Sequence, residues 1–111
     1  MAKKPIDPQS AVDYMVKAAP AFAKARAERV YLEEYRKSKK AILMQAHSTK
    51  PIGAQEREAY ADPEYIGLLA ALRVAVETEE EARWMLIAAQ TRVEVWRSQE
   101  ASNRRVDRAT E

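Results

Sequence analysis

Residues 62–107 run DPEYIGLLAALRVAVETEEEARWMLIAAQTRVEVWRSQEASNRRVD. Asp62 is a good N-cap. Pro63 suits the first helical position, where its missing N–H costs nothing, and Glu64 meets the positive end of the helix dipole. The stretch has no proline after Pro63 and no glycine after Gly67. The pattern predicts one helix over 63–107, about 65–70 Å long at a rise of about 1.5 Å per residue. A compact domain of about 100 residues has a radius of gyration near 13 Å, so the remaining chain cannot enclose such a helix. It requires an elongated helical hairpin, an oligomer, or both.

The apolar pattern says how this helix packs. Leu68, Leu72, Ala75, Glu79, Ala82, Leu86, Ala89, Val93 and Trp96 alternate at spacings of four and three. That is a heptad seam with one polar interruption, Glu79. A second apolar face appears later in the helix, at Trp84, Ala88, Thr91 and Val95. A helix apolar on two faces is expected to be covered on two sides. One side suits an earlier helix of the same chain and the other a second subunit. The candidate oligomer contacts are Leu68, Leu72, Trp84, Leu86, Val93, Val95 and Trp96.

Working back towards the N-terminus, His47-Ser48-Thr49-Lys50-Pro51-Ile52-Gly53 is the clearest break in the chain. Loop is expected over 47–53 and a short helical turn over 54–61. Before the break, residues 21–46 read as a helix, with Pro20 in its first turn. Ser10 is a candidate cap for a short helix over 11–19, and residues 1–9, with Pro5 and Pro8, read as a flexible arm. The expected fold is all-α: a single helical domain over 10–111 that packs as an elongated, coiled-coil-like hairpin and oligomerises.

Composition narrows the function classes. The 111 residues are 47% hydrophobic, much of that alanine, and include 2 glycines. The bias towards alanine, glutamate, arginine, lysine and leucine is that of long helices. With no cysteine, disulfides and thiolate metal sites are excluded, and the chain suits a reducing compartment. Met1-Ala2-Lys3-Lys4-Pro5 leads into no apolar run, so no signal peptide is expected. No stretch approaches the roughly 20 apolar residues of a membrane span. The expected location is cytoplasmic, the host cytoplasm if the chain is phage-encoded.

The net charge of +2 is divided unevenly: residues 1–50 carry 11 Lys+Arg against 5 Asp+Glu, and residues 51–111 carry 8 against 12. The halves are complementary, which favours antiparallel pairing and leaves a local basic surface. Arg36-Lys37-Ser38-Lys39-Lys40 is the densest basic run, with Tyr31 and Tyr35 one turn apart just before it. Such cations attract phosphates, and a tyrosine can stack on an unpaired base. The bland reading is a solvated helix face. Arg97, Arg104, Arg105 and Arg108 form a second cluster near a helix C-terminus, where the dipole alone favours cations.

Other chemistry finds no residues to carry it. Glu77, Glu79, Glu80 and Glu81 are compact, but helix-borne di-metal sites also use Glu-x-x-His pairs, and the single histidine, His47, is in no such pair. These carboxylates read as a solvated face or as partners for Arg73, Arg83 or the basic run. No serine–acid arrangement stands near His47, and Gly53 is isolated, so neither a catalytic triad nor a phosphate-cradling loop is present. Neither a catalytic residue nor a cofactor nor a metal is expected, and the chain reads as no enzyme.

A basic helix ending in a polar loop, then a long C-terminal helix with a central tryptophan and scattered cations, resembles the small recombination mediators of tailed phages, the UvsY type. Lys39 and Lys40, followed by Ala41, stand where that family places basic residues late in the helix before the loop. Ile42 stands where the family has a further arginine, so the DNA-contacting pair is incomplete. Ala82-Arg83-Trp84-Met85-Leu86 matches an aromatic–apolar stretch of the family's last helix. The resemblance covers roughly residues 25–105. It implies a helical ring that binds single-stranded DNA and helps load a recombinase onto strands coated by a single-strand-binding protein. The expected function is accordingly a single-stranded nucleic-acid-binding accessory protein. The expected binding residues are Tyr31, Tyr35, Arg36, Lys37, Lys39 and Lys40, with Arg104, Arg105 and Arg108. The alternative is a helical adaptor or inhibitor of phage or mobile-element origin that binds protein and no nucleic acid.

Overall fold

The computed structural model describes residues 4–110 and holds three helices: α1 (Pro8–Gln45), α2 (Ile52–Ala61) and α3 (Pro63–Thr110). The described residues contain no strand. The first three residues of the expected N-terminal arm lie outside the described residues.

The long helix forms as its sequence dictates. Asp62 caps it: the Glu64 N–H donates to Asp62 Oδ1 at 2.8 Å, and the Ile66 N–H donates to the Asp62 carbonyl at 3.0 Å. Asp62 also closes α2, its extended backbone (φ −65°, ψ 133°) turning the chain between the two helices. With 48 residues α3 spans about 72 Å. It carries no interruption up to Thr110, slightly beyond the expected end.

The N-terminal half corrects the expectation at two points. α1 is a single helix of 38 residues with Pro20 inside it, where two helices meeting at Pro20 were expected. Proline in a helix interior removes one hydrogen bond and crowds the carbonyl four residues earlier, at a cost of about 3 kcal/mol. Pro20 is solvent-exposed, so water can take up the orphaned carbonyl of Val16. Ala18 and Phe22 on either side remain half-buried and hold the helix across the break. The cap is also not Ser10. The Gln9 and Ser10 N–H groups donate to Asp7 Oδ1 at 3.0 and 3.3 Å, which makes Asp7 the N-cap and Pro8 the first helical residue. Asp7-Pro8 thus repeats the device of Asp62-Pro63, and helix replaces the last two residues of the expected arm. Likewise the helical turn expected over 54–61 begins at Ile52, inside the expected loop.

The expected seam on α3 is the one the structure buries. All nine of its residues are buried or half-buried, and Tyr65 extends it one turn earlier. α1 carries a matching seam at the same alternation: Ala11, Met15, Ala18, Phe22, Ala25, Arg29, Leu32, Arg36, Lys39 and Leu43, each buried or half-buried. Three of these positions are cations, which hides the pattern from a reading of apolar periodicity alone.

Two compact units share these helices: residues 23–80 form one, and the described residues up to 22 with those from 81 onwards form the other. Residues 23–80 make a hairpin in which α1 and α3 run antiparallel. Leu43, Ala59 and Tyr65 close its α2 end as a small core, with Met44 packed alongside. Further along, the polar interruption of the α3 seam meets a cation. Glu79, 6% exposed, accepts a fork from Arg29, one arm from Nε and the other from Nη2 at 3.2 Å. Arg29 Nη1 also donates to Glu33 at 3.0 Å. Glu79 first, then Glu33, hold the guanidinium firmly protonated. A single matched polar pair inside an apolar seam fixes the pairing register, because sliding either helix strands a charge. In the second unit Met15 of α1 shares an open cavity with Gln90, Val93, Glu94 and Arg97 of α3.

Candidate nucleic-acid interface

The basic run lies in the last turns of α1, where the seam gives way to the corner between α2 and α3. Helix geometry spreads its four cations around α1, and the structure gives them different tasks. Lys39 falls on the buried side and its Nζ meets Glu64 Oε2 at 2.6 Å. Lys40 reaches α2, with Nζ 3.2 Å from Glu56 Oε1 and 4.6 Å from the centre of the Tyr60 ring. Both lysines are held protonated above their ordinary range, Lys39 by its hydrogen bond to Glu64 and Lys40 by Tyr60 and then Glu56. These two cations tie α1 to the elements that follow it. Lys37 makes only an exposed contact to Glu34 at 3.4 Å, a contact of little energetic value. Arg36 is half-buried and, among the described residues, has no carboxylate within ion-pair distance.

Arg36, Lys37 and Lys40 line one open cavity of about 400 Å³ together with Tyr60 and Tyr65. The two rings meet edge-on, 5.3 Å between centres and 70° between planes. Tyr65 is buried and braces Tyr60, which is about half exposed. The cleft therefore offers Arg36 and Lys37 as cations for a ligand, beside a half-exposed ring on which the Lys40 ammonium already lies. Cations of this kind take phosphate oxygens, and an aromatic face takes a base of any identity. The cleft residues that sequence reading did not single out are Tyr60 and Tyr65. The only signal was their position on either side of Asp62-Pro63, at a corner where side chains from three helices converge.

The other expected site residues are placed elsewhere. Tyr31 and Tyr35 stack on each other, 5.8 Å apart and within 7° of parallel. Tyr31 is 59% exposed. It lies nine residues before Lys40, about half a turn away around α1, so the tyrosine pair and Lys40 face opposite sides. Lys39, one turn after Tyr35, is the cation of the run nearest that pair. Arg97, Arg104, Arg105 and Arg108 are all exposed on α3 in the second unit, where residues 102–110 are exposed throughout. Of the expected oligomer contacts, Leu68, Leu72, Leu86, Val93 and Trp96 are half-buried in the seam. Trp84 and Val95 stay exposed, with the Arg83 guanidinium 5.0 Å from the Trp84 ring centre.

The remaining chemistry is sparse. Among the described residues no three His, Asp or Glu side chains converge as metal ligands, and no helix is long and apolar enough to cross a membrane. Within the acidic run Glu79 is committed to Arg29. No family model, no curated protein and no solved structure matches the chain.

Proposed function

We propose that the chain is a non-enzymatic accessory protein that binds single-stranded nucleic acid without sequence preference. The observation that carries this reading is the cleft in which Arg36, Lys37 and Lys40 meet the half-exposed ring of Tyr60. A strand laid there places phosphates on the cations and one base on the ring. A duplex keeps its bases paired and cannot offer that face, so single strands are preferred. No group in the cleft is arranged to read base edges, so affinity comes from backbone and stacking alone. The resemblance to phage recombination mediators adds a role: holding strands for loading by a recombinase in recombination or replication, in contact with that recombinase or a single-strand-binding protein. The stacked Tyr31–Tyr35 pair is a secondary contact, and Arg104, Arg105 and Arg108, exposed in the other unit, are a separate one. The protein acts in the cytoplasm, that of the host if the chain is phage-encoded.

The test is fluorescence anisotropy of a labelled oligothymidine at low salt. The intact chain is expected to bind it, and Arg36→Ala is expected to weaken binding while circular dichroism stays unchanged. Tyr60→Ala should cost roughly 1–3 kcal/mol of binding. A second reading is a protein adaptor, favoured by the open apolar groove that Ala25, Leu32, Ala71, Val74 and Ala75 line. It wins if the oligonucleotide fails to bind even at low salt while a pull-down after nuclease treatment retains a protein partner.

A further inference from the structure

Glu56 and Tyr60 stand one turn apart on α2 and so share one of its faces. Lys40 crosses from α1 and fills the seat between them. Its Nζ is 3.2 Å from Glu56 Oε1 and 4.6 Å from the centre of the Tyr60 ring, over the face of that ring. A base stacked on that face needs the space that the ammonium occupies. The Lys40 side chain is 27% exposed, against 69% for Lys37. Lys40 therefore lies down along the corner while Lys37 reaches into water, and the seat on α2 makes the difference.

We infer that Lys40 closes the ring of Tyr60 and that Glu56 is the positioning residue that holds it there, an autoinhibitory contact that a single strand must open. The inference rests on the reading of the cleft as a single-strand site. Relative strengths decide that the contact can open. A cation over an exposed ring shifts an equilibrium by about two- to fivefold, and an exposed ion pair by up to about fivefold. A stacked base is worth about fivefold to over a hundredfold, so it takes the ring from the ammonium. Lys40 then leaves the ring but keeps its carboxylate, Glu56, and stays neutralised by it. It therefore adds no phosphate contact of its own, and Arg36 and Lys37 supply those contacts. The consequence is selectivity: a polyanion without bases engages the two open cations and leaves the ring closed.

The experiment is an anisotropy titration of labelled oligothymidine across salt, on the full chain and three variants, with circular dichroism to check that each keeps its helix. Lys40→Ala opens the ring and removes no phosphate contact. It should bind as tightly as the wild type or up to about fivefold tighter, with the log–log salt slope unchanged at about −1.4. Glu56→Gln frees Lys40 for a phosphate, so its slope should steepen to about −2.1. The double variant should return to about −1.4, which separates action through Lys40 from the general loss of one negative charge. Weaker binding with a flatter slope in Lys40→Ala, or a Glu56→Gln slope equal to that of the wild type, overturns the inference. Trace acetylation of the free chain, read residue by residue, tests the contact without nucleic acid: Lys40 should react more slowly than Lys37, and Glu56→Gln should speed Lys40 alone. Equal rates in the wild type overturn the contact itself. Should Lys40→Ala lose helix content, the Glu56→Gln slope and the acetylation rates decide. If no form binds at low salt while Lys40 reacts slowly, the single-strand reading fails and the inference falls with it; if the wild type binds and the Lys40→Ala slope flattens, the inference alone fails.

Discussion

Replacing Leu43 with alanine tests the corner that positions the cleft. Leu43 is 8% exposed and forms the small core with Ala59 and Tyr65. The substitution removes three carbons, worth about 0.8 kcal/mol each, or about 2.4 kcal/mol of burial. Leu→Ala changes in cores cost about 2–5 kcal/mol, the upper part coming from cavities that cannot collapse. This core sits at the end of a hairpin open to solvent, so it relaxes, and the expected cost is about 2–3 kcal/mol. With 111 residues and about 2.1 cal/mol/K of unfolding entropy per residue, that lowers Tm by about 10 °C. Thermal melts followed by circular dichroism at one fixed protein concentration measure it, since melting of a self-associating chain depends on concentration. The same change should weaken oligonucleotide binding, because Tyr65, which braces Tyr60, loses its core neighbour. A fall of less than about 3 °C would refute the claim that this cluster holds the corner together.

Three further outcomes follow from particular contacts. Pro20→Ala should raise Tm, with up to about 3 kcal/mol of added stability, because Pro20 stands exposed inside α1; a lower Tm contradicts a helix that runs through this position. Arg29→Glu and Glu79→Arg should each destabilise the chain, and the double variant should recover most of the loss; additive effects would show that the pair does not set the register. Lys39 and Lys40 titrate above the ordinary 10.5 when folded, so their stabilisation is complete below that pH and disappears as the pH rises through the folded values. Melts should therefore worsen above about pH 10.5, and Lys39→Met should remove part of that alkaline loss; an identical alkaline drop in the variant refutes the assignment.

The long helix was legible because Asp62-Pro63 starts it, nothing stops it, and its seam repeats every seven residues. The seam of α1 was not, because Arg29, Arg36 and Lys39 occupy positions that apolar periodicity reads as surface. Arg29 and Lys39 are tolerated there by carboxylates far away in sequence, Glu79 and Glu64. The opposite charges of the two halves signalled such pairing in general, but no local pattern names the partners. Pro20 misled for a related reason: its penalty is local, whereas burial of Ala18 and Phe22 on either side outweighs it. Asp7-Pro8 could have been read from its likeness to Asp62-Pro63. The basic run was visible as a cluster, yet its division into lysines that clamp the corner and an arginine left open required the placement of α2.

The central claim is that Arg36 and Lys37 present cations to a single strand beside Tyr60, and the salt dependence of oligothymidine binding tests it most directly. Each phosphate engaged contributes a slope of about −0.7 in a log–log plot of affinity against salt. The two open cations of the cleft, Arg36 and Lys37, give a slope of about −1.4, hence about a sevenfold loss of affinity between about 50 and 200 mM salt. The double variant Arg36→Ala/Lys37→Ala should bind more weakly, with a slope close to zero over the same range. No binding at about 50 mM salt, or an unchanged slope in the variant, would contradict the account.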